Sequence, residues 1–232
     1  MPPSRPWRAV LFDAGNTLLD LDYPWLGDLA RRLGATAGLE EIGRAAARLL
    51  RQDALRYGRT PASEDAAAVF LGSFRTIGEA IGLAPPDAQV FAEAARQEDA
   101  SHPQGLWRCP APGAQATLAA IAARGCALGV ISNSDGQAER HLALAGLRRH
   151  LDLVVDSSKV GLEKPDPGIF HLALAHLGLK AAEAIYVGDL LAVDIVGARG
   201  AGLAPLLYDR WDAYPDVLER RVRSLPEVLD WL

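Results

Sequence analysis

Lysine is nearly absent from this chain: of 24 basic residues only Lys159, Lys164 and Lys180 are lysine, and none precedes residue 159. Cysteine is equally sparse. Cys109 and Cys126 are too few for a disulfide framework and lack metal-ligand spacing, so a reducing compartment suits the chain. Positive charge in excess is missing too. The net charge of -5 gives no electrostatic basis for binding nucleic acid or an anionic membrane. No stretch reaches about 18 consecutive apolar residues, and MPPSRPW at the start shows no signal-peptide core. The expectation is a cytoplasmic protein.

What remains is an ordinary globular composition, 50% hydrophobic, over 232 residues. That length accommodates one large domain or a domain carrying an inserted second one. Strand-like apolar runs recur at 8–12, 127–131, 152–155, 184–188 and 203–207. Helical patterns lie between the later ones, at Pro112 to Ala123, Gly136 to Ala145 and Pro167 to Leu177. Alternating strands and helices predict a doubly wound parallel sheet, an α/β fold of Rossmann-like type.

Between the first two of these runs lie more than a hundred residues, far more than a crossover helix needs. The stretch 20–105 shows no convincing strand. It reads as four helices, Pro24 to Leu33, Glu40 to Tyr57, Ser63 to Ile81 and Pro86 to Ala100, separated by glycine and proline clusters. The expected organisation is an α/β core made of residues 1–19 and 106–232, with an all-helical cap at 20–105. Hinges are expected near 19–22 and 101–106. Arg44, Arg48, Arg51, Arg56 and Arg59 fall at helical spacing and read as a solvated face. Trp25, Tyr57, Phe70 and Phe74 read as cap core.

Open parallel sheets bind ligands at the carboxyl ends of their strands. Polar residues gather at four such ends. Asp13 closes the first strand, with Thr17 four residues on; Ser132 and Asn133 end the second; Lys164 follows the third before Pro-Asp-Pro; Asp189 and Asp194 follow the fourth. Singly, each has a plain explanation as a cap, a turn residue or a surface charge. Together, three carboxylates repel one another unless they share a cation, and hard oxygen donors favour magnesium. Lys164 adds positive charge, while Thr17, Ser132, Asn133 and nearby backbone N–H groups are candidates for holding a phosphate. With Asp13 as the attacking group, this is a phosphoryl-transfer site.

The segments LFDAGNTLL, VISNSDG, EKPDPGIF and IYVGDLLAVDIVGARGAGL resemble, in order and spacing, the four motifs of the haloacid dehalogenase superfamily. The resemblance extends over nearly the whole chain, the helical insert included. It implies a mobile cap and a phosphoaspartyl intermediate at Asp13. It implies magnesium held by Asp13, Asp189 and the backbone carbonyl of Gly15, supported by Asp194, with Ser132 and Lys164 on the transferring phosphate. A small phosphorylated metabolite is the expected substrate.

One position departs from the pattern. Phosphatases of this family carry a second aspartate where Gly15 stands, to protonate the leaving oxygen and then activate water. Such assistance is worth about 10²–10⁴ in rate. The glycine that normally follows is Asn16, which tolerates a left-handed backbone. Asp20 and Asp22 read as linker carboxylates, and His102 as a hinge residue able to approach the site on closure. A 2-haloacid dehalogenase needs the attacking aspartate but no acid, so Gly15 suits it; the magnesium carboxylates speak against it. A phosphonatase would use a cap lysine, and this cap has none. A phospho-ligand-binding protein that has lost turnover is the non-catalytic alternative.

Overall fold

A computed structural model describes residues 7–52 and 66–232. The expected helix ends at Tyr57 and Ser63, and Arg56 and Arg59, lie outside the described residues. The first strand, β1 (Ala9–Phe12), is followed by a two-residue strand, β2 (Leu19–Asp20). Four helices come next among the described residues: α1 (Tyr23–Arg32), α2 (Leu39–Gln52), α3 (Ala66–Ala80) and α4 (Pro85–Ser101). The chain returns through β3 (Cys109–Pro110), α5 (Ala114–Ala123), β4 (Ala127–Ser132) and α6 (Ala138–Leu144). Then follow β5 (Leu153–Asp156), α7 (Ser157–Val160), α8 (Pro167–Leu177) and β6 (Ala184–Gly188). A π-helical turn at Leu191–Ile195 runs into α9 (Val196–Gly200), and β7 (Ala204–Tyr208) and β8 (Arg221–Val222) complete the sheet.

The six strands of the main sheet are all parallel, in the order β5-β4-β1-β6-β7-β8. The sheet is α/β and doubly wound, as expected. Its strands are apolar on both faces because both faces are covered. Val10 and Phe12 point to one side, toward Leu118 and Ile121 of α5. Ala9 and Leu11 point to the other, toward Ile169 and Phe170 of α8. Helix starts follow local chemistry. Asp22 caps α1 by accepting from the Trp25 N–H at 2.9 Å, and Asp166 caps α8 by accepting from Gly168 N–H at 2.7 Å. A proline occupies the first turn of each.

The pair β2–β3 is antiparallel, Leu19 opposite Pro110 and Asp20 opposite Cys109, and was not legible in the sequence. Two residues per strand are too few to show a period. This ribbon ties together the two points where the chain leaves and re-enters the core. Between them, α1–α4 bury their own apolar cluster, including Leu26, Ile42, Phe74 and Phe91. Helix α2 rests on the loop after β7. A Cβ at Gly43 would stand 2.4 Å from the Trp211 ring, so only glycine permits this approach. Arg51 donates to Ala213 O at 2.5 Å and pairs with Asp216 at 2.7 Å. No described helix is long and apolar enough to cross a membrane.

Candidate active site

Strand register decides which side chains meet. Phe12 pairs with Val130 on one side and Val187 on the other. Asp13 therefore emerges level with Ile131 and Gly188, and Ser132 and Asp189 come one residue further along their strands. The Asp13 N–H donates to Val187 O at 2.9 Å, which fixes its backbone. The neighbours of β1 come from opposite winding directions, so this edge is the switch point of the sheet.

Lys164 reaches the same place from the loop before α8. Its ammonium donates to Asp13 Oδ1 at 2.5 Å, to Asp194 Oδ1 at 2.7 Å and to the Tyr186 hydroxyl at 3.0 Å. All three of its protons are used, and the residue is 3% exposed. Asn133 holds the Lys164 backbone from both sides: its amide donates to Lys164 O at 2.9 Å and its Oδ1 accepts from Lys164 N–H at 2.8 Å. The geometry thus gives Asn133 a task beyond the one expected from sequence, namely positioning the lysine.

Asp194 projects from the π-helical turn. Its Oδ2 accepts from Leu190 N–H at 2.9 Å, and its carboxyl carbon passes so close to Gly188 that a Cβ there would lie 2.5 Å away. Asp13, Asp189 and Asp194 each present an oxygen within 4.8 Å of the others, the donor set of a hard divalent cation. Asp189 is the most open of the three. The Thr17 hydroxyl donates to Asp189 Oδ1 at 3.5 Å, and Ser132 is buried at the tip of β4.

The electrostatics show a group short of positive charge. Burial drives the Asp13 carboxyl up to about 6, because Lys164 opposes the shift only in part and Asp194 adds to it. Burial also holds Asp189 well above the usual carboxylate range, with Asp194 and Asp13 adding to the effect. For Lys164, burial pulls downward, but the two adjoining carboxylates outweigh it and raise the ammonium above the ordinary lysine value. One lysine against three carboxylates leaves negative charge that a bound cation would balance.

The turn after Asp13 is equally well defined and chemically different. Asn16 adopts the left-handed conformation, φ 55°, and its N–H donates to Leu19 O at 2.7 Å. Trp107, from the segment returning to β3, donates its indole N–H to Asn16 Oδ1 at 3.3 Å. The same ring lies 3.6 Å from where a Cβ on Gly15 would be. The other polar candidates are engaged elsewhere. Asp20 pairs with Arg210, Asp22 caps α1 and binds Arg108 at 2.8 Å, and the His102 ring accepts from Gln104 N–H at 3.1 Å.

Three supporting residues escaped the sequence reading. Tyr186 sits mid-strand in β6, where apolar neighbours disguise it; a phenol buried in a sheet core needs polar partners, and that was the available signal. Asp156, at the end of β5, accepts from Gly136, Ala138 and Ser158 N–H groups at 3.1–3.2 Å and shapes the loop after Ser132. Its Asp-Ser-Ser context is a cap signature. Trp107 carried no local signal, since its partner lies 91 residues away.

Comparison with known proteins identifies the family. Residues 7–202 match the haloacid dehalogenase-like hydrolases. The chain belongs to that family. A phosphoserine phosphatase of Thermus thermophilus is 35% identical over 95% of this chain and 97% of its own. A glyceraldehyde 3-phosphate phosphatase of Methanopyrus kandleri is 31% identical over 95% and 91%. Among solved structures, a 2-haloacid dehalogenase of Pseudomonas syringae covers 97% of both chains with a TM-score of 0.55 at 24% identity, a likeness of fold. This haloacid dehalogenase-like hydrolase thus has full-length phosphatase relatives and shares its architecture with dehalogenases.

Proposed function

We propose that this hydrolase is a magnesium-dependent phosphatase of small phosphorylated metabolites that works through a phosphoaspartyl intermediate at Asp13. The observation that carries the reading is the triad Asp13, Asp189 and Asp194, with its unbalanced negative charge beside a saturated lysine. A dehalogenase has no use for a cation there. Two relatives aligned over nearly their whole length bear phosphatase names, which supports the same choice.

Magnesium, when bound, would be held by Asp13, Asp189 and the Gly15 carbonyl, and would neutralise charge on the phosphoryl group. The protein's own groups do the rest. A carboxylate oxygen of Asp13 attacks phosphorus, the bond from phosphorus to the ester oxygen breaks, and the leaving oxygen departs with the electron pair. Lys164 holds Asp13 in line and offers N–H to the phosphoryl oxygens as the Asp13 charge is spent. Ser132 and backbone N–H groups at the strand tips complete the phosphate cradle. Water then attacks phosphorus, the bond to Asp13 breaks, and inorganic phosphate leaves; the water proton passes to the alkoxide or to solvent. In this reading the helical unit is a cap that opens about the ribbon near 19–22 and 101–106 to admit substrate.

The experiment is a panel of phosphorylated metabolites and chloroacetate, assayed with magnesium and with EDTA. Phosphate release that requires magnesium supports the proposal. Chloride release that persists in EDTA would establish the dehalogenase reading, which Gly15 favours. Magnesium-dependent ligand binding without turnover would mark a binding protein.

A further inference from the structure

We propose that Asn16, oriented by Trp107, contacts the leaving oxygen of the substrate and stabilises it by hydrogen bonding rather than by proton transfer. The inference rests on the phosphatase reading and names the group that serves the position left neutral by Gly15.

The amide orientation follows from chemistry. An indole N–H can only donate, so the Asn16 atom facing it at 3.3 Å is the carbonyl oxygen. The amide nitrogen consequently points away from Trp107 with both of its protons, and among the described residues it has no protein acceptor. The backbone cannot easily redirect it. Asn16 sits at φ 55°, held by its N–H bond to Leu19 O, within a turn that also bridges Gly15 to Leu19. Asn16 and Asp189 line one crevice between the core and cap helix α2. The crevice holds only about 30 Å³, room for the atoms next to a phosphoryl group at Asp189, beside the amide, and not for a whole substrate.

Among the described residues, the charged groups that share this crevice with Asn16 and Asp189 are engaged with other partners, Arg210 with Asp20 and Asp209 with Arg221. Asp20, Asp22 and His102 all have other partners, as described above. Trp107 also covers Gly15, so the space beside the turn belongs to the Asn16–Trp107 pair. An amide N–H has no proton to release at neutral pH. It stabilises a leaving oxyanion in proportion to the charge developed, so its benefit grows with the basicity of that oxygen. Trp107 is a positioning residue here and touches no substrate.

The test uses the full-length protein, magnesium and a series of phosphate monoesters running from good aryl to poor alkyl leaving groups. Asn16→Gly removes the side chain and keeps the left-handed turn, which glycine adopts freely. Loss of one such donor elsewhere lowers kcat about 10²–10³-fold. The expected result is a loss of that order in kcat/KM for alkyl esters, shrinking steadily along the series, so that log kcat/KM depends more steeply on leaving-group pKa. Trp107→Phe keeps the ring and removes the N–H. It should steepen the same dependence by a smaller amount with KM unchanged, and Trp107→Ala should do no better. An equal loss for every ester would assign Asn16 to the fold or to phosphate binding and overturn the proposal. So would an unchanged slope in both variants. Absence of turnover in the unaltered protein would remove the phosphatase reading and this inference with it, an outcome distinct from an equal loss.

Discussion

The two sides of the site differ in chemical character although Asp13 of one and Gly15 of the other are only two positions apart in sequence. On one side, Asp13, Asp189, Asp194 and Lys164 crowd charged groups together, with Lys164 and Asp194 fixed by several hydrogen bonds and Asp189 half-buried beside Thr17. On the other, Gly15, Asn16 and Trp107 are neutral throughout, and they are just as firmly held. The first arrangement suits capture and attack on phosphorus. The second suits recognition of a leaving oxygen without proton transfer. The difference teaches that order in an active site and completeness of its acid–base chemistry are separate properties.

Adding a carboxylate to the neutral side should give the largest effect. In Gly15→Asp the new Cβ meets Trp107 at an ordinary contact of 3.6 Å. Alkyl phosphate kcat/KM, which reports the first step, should rise by up to about 10²–10⁴, with little gain in kcat/KM for aryl esters. Steady-state rates on one ester of each kind check this. Equal gains on both would show that the missing function was not the acid.

Removing charge from the other side comes next. Lys164→Met leaves Asp13 and Asp194 buried without their cation. Breaking such a pair costs about 3–5 kcal/mol, and urea unfolding without metal should show a loss of that order. Magnesium should restore part of it, and turnover should remain low in either case.

The smallest effect is a pH dependence. The Asp13 carboxyl stands at about 6 in the metal-free fold, against an ordinary value near 4. A raised carboxylate means that the folded chain binds a proton the unfolded chain has lost. Metal-free stability therefore falls as pH rises between those two values, and a cation bound to the ionised triad cancels the fall. Thermal unfolding should show a larger magnesium-induced rise in Tm at about pH 7.5 than at about pH 5.

Much of the charged side was legible in the sequence, for a physical reason. Its members follow strand ends, and strand ends in a parallel sheet converge, so Asp13, Ser132, Lys164, Asp189 and Asp194 could be gathered from apolar runs alone. The register then determines which of them touch, and that is a tertiary property. Lys164 shows the difference: its chain position was evident, but not that Asn133 grips its backbone or that Tyr186 takes its third proton. The neutral side was read only as an absence at Gly15. Trp107 lies at the far end of the helical insert, so its contact with Asn16 depends on how the chain returns through β3. Likewise, the Gly43 contact with Trp211 joins residues whose separation leaves no periodic trace.

The central claim is that Asp13 can take a phosphoryl group while the second step lacks a general base. Rapid mixing of the magnesium-loaded protein with an aryl phosphate tests it most directly. The account predicts a burst of about one phenolate per chain, slower steady release afterwards, and phosphate covalently attached to Asp13 after an acid quench. Asp13→Asn should show neither burst nor adduct. Steady turnover with no burst and no trapped phosphoaspartate would contradict the account.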